Sequence, residues 1–156
     1  MTDMSDENIV ISRMTVDDLD DVMVLERLSF TIPWSREAFI EEITKNMFAI
    51  YISAKVGKVA VGYAGMWKVC DEGHITNVAV HPEFRRKGIG AKLIEELISL
   101  ARKENIVRMT LEVRKGNIPA KELYSKYGFK VEGLRKGYYT DNGEDAVIMW
   151  KDNILV

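Results

Sequence analysis

Residues 77–97 read NVAVHPEFRRKGIGAKLIEEL. An apolar run meets Pro82, then Arg85, Arg86 and Lys87, then Gly88 and Gly90, then an amphipathic stretch. Four readings of the centre compete. A dinucleotide fingerprint needs a third glycine and a strand directly before it, and has neither here. A Walker A loop needs Gly-Lys-Ser/Thr at its end, which occurs nowhere in the chain. A solvated basic turn before a helix accounts for the short motif by itself. An anion cradle accounts for it too, because a helix N-terminus offers unpaired N–H groups, the glycines allow close approach, and three cations sit alongside.

Residues 91–104 place Leu93, Ile94, Leu97, Ile98 and Ala101 on one helical face. Residues 74–80 read as the strand before the turn. Residues 107–113 alternate strictly, with Val107, Met109, Leu111 and Val113 on one face and Arg108, Thr110 and Glu112 on the other. Upstream, 9–16 reads as a first strand, and Thr15 caps a helix carrying Asp17 and Asp18 in its first turn and Val22, Met23, Leu25 and Leu28 on its apolar face. Ile32-Pro33-Trp34 breaks that helix, and Ser35 starts another with a Phe39, Ile40 and Ile43 stripe. Residues 48–54 and 59–69 form a hairpin. Downstream, 119–129 is a short helix between Pro119 and Gly128. Residues 140–143 form a turn between two final strands, the last at 145–150. The order βααβββαβαββ makes one mixed α/β domain spanning 1–156.

The chain has 156 residues, 47% hydrophobic and 29% charged, as a globular domain with its own core requires. A net charge of −2 argues against general nucleic-acid or anionic-membrane binding. The single Cys70 builds no intrachain disulfide, and neither His74 nor His81 makes a nucleophile motif with it. Two histidines without patterned Cys or carboxylate neighbours are a weak ligand set, so no metal is expected. The acidic opening MTDMSDENIV is unlike a secretory signal, and no run is apolar enough to span a membrane. The expected location is the cytoplasm.

The stretch 77–97 resembles the acetyl-CoA motif of the GNAT N-acetyltransferase superfamily, with Arg85, Gly88 and Gly90 filling its [QR]-x-x-G-x-[GA] pattern. More narrowly, PWS (33–35), LEVRKGNIPAKELYSKYGF (111–129) and RKGYYTDNGEDAVIM (135–149) are similar to bacterial ribosomal-protein alanine N-acetyltransferases. The resemblance implies an α/β GNAT-like fold: a mixed, mostly antiparallel sheet with a central splay, flanked by helices. It implies that acetyl-CoA pairs with the backbone of Val78, Ala79 and Val80. The pyrophosphate is expected on Arg85, Arg86, Lys87, Gly88, Ile89, Gly90 and Ala91, with Asn117 as a further cofactor contact.

The resemblance also implies Glu112 as general base and Tyr124 as general acid. Periodicity alone leaves Glu112 a solvent-facing strand carboxylate and Tyr124 a core aromatic. Trp34, Tyr138, Tyr139 and Glu144 are candidates for the acceptor groove, with Asp145 beside them; a core tryptophan and a charged hairpin are the plain alternatives. The expected reaction is acetyl transfer to a protein N-terminal α-amine, a ribosomal protein's alanine being the candidate. An α-amine of pKa about 8 is roughly a tenth neutral at pH 7, far more than a lysine of about 10.4. An acetyltransferase for lysine or a small amine, and a non-catalytic CoA-binding module, are the rivals.

Overall fold

The computed structural model describes residues 8–156, so the first seven residues of the acidic opening stretch lie outside the described residues. The chain runs β1 (Ile9–Arg13), α1 (Leu19–Ser29), α2 (Arg36–Thr44), β2 (Ala49–Val56), β3 (Val59–Val69), β4 (Glu72–Val80), α3 (Ile89–Lys103), β5 (Arg108–Arg114), α4 (Ile118–Lys126), β6 (Lys130–Arg135) and β7 (Ala146–Lys151). This is the order expected from the periodicities. Short 3-10 turns at Val16–Asp18 and Pro82–Phe84 precede α1 and α3.

The strands form one seven-stranded sheet in the order β1-β2-β3-β4-β5-β7-β6. β1–β2, β5–β7 and β6–β7 are antiparallel. β4 and β5 are parallel, and their ladder is short: Glu72 with Arg108, Gly73 with Met109, His74 with Thr110. The ladder ends at His74, while β4 continues to Val80. Among the described residues, no helix is long and apolar enough to cross a membrane.

The chain divides into two compact units. The first holds the residues up to Met66 together with Asn77–Leu97. Its core gathers Met14, Leu19, Val22, Leu25, Phe39, Tyr51, Tyr63 and Ala79. Phe39 meets Tyr51 and Tyr63 edge-on, with centroids 6.3 and 5.7 Å apart, the geometry that aromatic quadrupoles favour.

Two details of α1 and its entry differ from the sequence reading. Asp18 does not sit in the open first turn. It is buried, accepting the Thr15 N–H and the Ser53 hydroxyl, with the Lys55 ammonium 2.6 Å away. Leu28 is half exposed, and Glu26 is buried in its place. The geometry of 3.6 residues per turn explains this: Glu26, seven residues after Leu19, returns to the buried stripe, whereas Leu28, nine residues after it, lies on the opposite face.

The second unit holds Trp67–Thr76 and Ile98–Val156. β5 sends Met109, Leu111 and Val113 into its core, as the alternation predicted, joined by Ala101, Ile106, Phe129, Met149 and Ile154, whereas Val107, expected on the same face, precedes the strand and is exposed. α4 opens on Asn117, whose Oδ1 accepts the Ala120 N–H, with Pro119 in its first turn. It closes where Gly128 takes φ +91°, a left-handed conformation that glycine adopts without strain.

Candidate active site

In the first unit the turn after β4 is shaped by backbone conformation. The His81 N–H donates to the Val61 carbonyl at 2.8 Å, and His81 Nδ1 accepts the Glu83 N–H, starting the 3-10 turn. Arg86 at φ +64° and Gly88 at φ +79° are both left-handed, with Lys87 between them. For Arg86 that conformation costs about 1–2 kcal/mol. A Cβ on Gly88 would meet nothing within 4 Å, so the residue is needed for its torsion rather than for space.

α3 then starts at Ile89, and the N–H groups of its first turn have no partner within the helix. Gly62 on β3 is required for packing, since a Cβ there would come within 3.2 Å of the Ala79 carbonyl and Ile89 Cγ2. β3 can therefore lie close against the start of α3. Arg85 turns back to donate from Nε to the Val80 carbonyl at 3.1 Å, and the Lys87 ammonium rests over the Phe84 ring. Residues 85–91 thus combine left-handed turns, unpaired N–H groups and three cations, a set that fits a pyrophosphate.

Trp34 belongs to the same unit. Its ring packs on Phe39 at 5.4 Å and its N–H donates to Glu26 Oε2 at 2.8 Å.

In the second unit the chemistry centres on β5. Glu112 is mostly buried, and His74 Nε2 donates to its Oε2 at 2.7 Å. Arg135 Nε lies 3.5 Å from the other oxygen. The His74 hydrogen bond holds the Glu112 carboxyl below its usual range; burial opposes this, and the positive charges of His74 and Arg135 add to it. Glu112 is therefore an anion with a fixed imidazole partner. Sequence reading passed over His74, because the contact depends on register: His74 pairs with Thr110, and Glu112 is two residues further along β5.

Tyr124 lies inside the unit, its ring edge-on to Phe129 at 5.9 Å. Burial, and then the neighbouring Tyr139, raise its pKa well above the ordinary tyrosine value. It stays protonated across the neutral range, so its hydroxyl keeps a proton to donate. Tyr139 is pushed up to about 12 by burial, against the opposing charge of Arg114 and with Tyr138, Glu112 and Glu144 adding to the rise. The charge of Glu112 thus raises the pKa of Tyr139, and Tyr139 in turn raises that of Tyr124.

Arg114, two residues after Glu112, organises the loop carrying Tyr139. Its guanidinium stacks on the Tyr139 ring at 4.0 Å and bonds Asp141 at 2.8 Å and Glu144 at 3.2 Å. The Gly116 N–H donates to Glu144 Oε2 at 2.8 Å, so both oxygens of the carboxylate are engaged. Tyr138 is half exposed and edge-on to Tyr139 at 5.1 Å. Asp145 accepts the Gly137 N–H at 2.9 Å. Among the described residues no group of three or more His, Cys, Asp or Glu side chains is gathered to hold a metal ion.

Comparison with known proteins agrees with this architecture. Residues 19–129 match the description "Acetyltransferase (GNAT) family". A Bacillus subtilis (strain 168) relative, provisionally named a ribosomal protein bS18-alanine N-acetyltransferase, is 41% identical over 140 residues, covering 90% of this chain and 93% of its own. The Escherichia coli (strain K12) ribosomal protein bS18-alanine N-acetyltransferase is 34% identical over 141 residues, covering 89% of this chain and 94% of its own. A crystal structure of the ribosomal-protein-S18-alanine N-acetyltransferase from Escherichia coli superposes with a TM-score of 0.85 at 30% identity, over 94% of each chain. With the motif at 85–90, the short parallel ladder and matches over most of its length, the chain belongs to the GNAT acetyltransferase family.

Proposed function

We propose that the whole chain acts as one N-acetyltransferase domain, transferring acetyl from acetyl-CoA to the α-amine of a protein N-terminus, with the terminal alanine of a ribosomal protein as acceptor. The observation that carries the choice of acceptor is the likeness, over about nine-tenths of the chain, to relatives named for that alanine. The proposed setting is the cytoplasm, where such an acceptor is made.

Acetyl-CoA supplies a thioester whose sulfur leaves as a thiolate. The roles of the chain follow from its geometry. Residues 85–91 bind the pyrophosphate by backbone N–H groups and positive charge, and residues 78–80 offer backbone groups to the arm that follows. Asn117 stays a candidate contact through its amide nitrogen, since its Oδ1 caps α4. Glu112, held as an anion and fixed by the His74 hydrogen bond, takes the proton from the acceptor's ammonium as general base. Tyr124, protonated throughout, donates to the departing sulfur. In the first unit Trp34 is assigned to acceptor binding, as a wall of its slot; in the second, Tyr138 and Tyr139 are each assigned to acceptor binding. Glu144 acts there through the loop it braces with Arg114.

Steady-state thiol release tests this reading. A short peptide beginning with alanine should give a kcat/KM at least about tenfold above free lysine or a polyamine. A faster reaction with lysine or polyamine overturns it, and no reaction with any amine favours a CoA-binding module.

A further inference from the structure

Glu26 has no part in the chemistry described so far, yet it is almost wholly buried, at 1% exposure. Its partners are neutral. Oε2 accepts the Trp34 N–H at 2.8 Å, and Oε1 accepts the Tyr63 hydroxyl. The Tyr63 hydroxyl is in turn bonded by the Asn77 side chain. Asn77 Oδ1 is buried without a partner, so its amide nitrogen is the donor. Among the described residues, no ion pair is recorded for Glu26.

Burying a carboxylate without a cation costs desolvation that an apolar residue on the same stripe would avoid. The packing of α1 alone would be served by leucine or methionine. What the carboxylate adds is its hydrogen bonds, and one of them holds the segment between α1 and α2. Among the described residues, no backbone–backbone hydrogen bond involves residues 31–34, and Ile32 is two-thirds exposed. The segment is fixed at Trp34 by its N–H on Glu26 and its ring on Phe39.

We propose that Glu26 is a positioning residue for the acceptor: its carboxylate fixes the backbone at Trp34 and so shapes the slot that receives the incoming amine. The proposal rests on the reading of Trp34 as a wall of that slot. Tyr63 orients the carboxylate from β3, and Asn77 orients Tyr63 from β4.

The test uses Glu26→Met, which keeps volume but accepts no hydrogen bond, and Glu26→Gln, which keeps an oxygen for the Trp34 N–H. Thermal unfolding is measured with the kinetics. The Met variant should raise the KM for the alanine peptide about tenfold and leave that for acetyl-CoA within about twofold, as loss of orientation predicts. The Gln variant should restore the peptide KM to within about threefold of wild type, because the acceptor oxygen is kept.

A wild-type peptide KM in the Met variant overturns the proposal. So does a Gln variant as impaired as Met, or a fall confined to kcat with both KM values unchanged. If the Met protein does not fold, Glu26→Asp decides by drawing the carboxylate back one methylene: a raised peptide KM supports the proposal and an unchanged one overturns it. If the wild type prefers another amine, the proposed acceptor fails, while the same KM comparison with that amine still decides the role of Glu26.

Discussion

Glu26 and Glu112 are both carboxylates held largely out of water, one in each unit, and their partners differ in kind. Glu26 has a phenol and a backbone amide, and burial raises its pKa against the pull of those two hydrogen bonds. Glu112 has an imidazole and a guanidinium, and its pKa is lowered. For Glu26 burial outweighs two neutral hydrogen bonds; for Glu112 the hydrogen bond from His74 outweighs burial, and the charges of His74 and Arg135 add to it. Neutral donors suit a group that holds a segment in place. Donors that hold a carboxylate as an anion suit a group that takes part in moving a proton.

The largest expected effect removes the charge from the second region. Glu112→Gln should lower kcat by about 10²–10⁴-fold, the range for loss of acid–base catalysis, with the acetyl-CoA KM near wild type. A kcat within threefold of wild type, roughly 0.7 kcal/mol of barrier, would break the contrast with Glu26. Tyr124→Phe should lower kcat by about 10²-fold while acetyl-CoA still binds, as a calorimetric titration would show. Unchanged turnover would take Tyr124 out of the proton chemistry.

A smaller effect belongs to the first region. Gly88→Ala forces a side chain to φ +79° and should cost about 1 kcal/mol of stability. Gly57→Ala, at φ +63° and equally open, should cost much the same. Only the Gly88 change should raise the KM for acetyl-CoA, because only that torsion shapes residues 85–91. Equal KM values in the two variants would contradict the anion cradle.

The smallest effect is the sign of the pH dependence. The lowered pKa of Glu112 contributes stability that is full above the unfolded value, about 4.3, and is lost as pH falls through the lowered folded value. The raised pKa of Glu26 contributes in the opposite sense: its share is full below about 4.3 and is lost as pH rises through the raised value. Urea unfolding from acid to neutral pH reads both. The advantage of wild type over Glu112→Gln should shrink toward acid, and that over Glu26→Gln should grow. Parallel trends would mean that the two environments are not opposite.

What the sequence made legible was local. The basic turn, its glycines and the amphipathic helix lie within one stretch, and the alternation of residues 107–113 marks the inward face of β5 whatever pairs with it. Asn117 reads in the sequence only as a cofactor contact; its cap on α4 comes from the structure. His74 was illegible because its meeting with Glu112 depends on the register of two strands far apart in sequence. The brace from Arg114 to Asp141 and Glu144 depends on a loop folding back across about thirty residues. Glu26 did leave a signal, a charged residue seven positions after Leu19 on an apolar stripe. The helix reading followed the hydrophobic residues alone and took Leu28 in its place.

The central claim, that the acceptor is an α-amine, is tested most directly on one peptide carrying both kinds of amine: an N-terminal alanine and an internal lysine. After reaction with the protein and acetyl-CoA, fragmentation in a mass spectrometer locates the added acetyl group. The account predicts acetyl on the alanine nitrogen and an unmodified lysine. Acetyl on the lysine, with the alanine free, would contradict it.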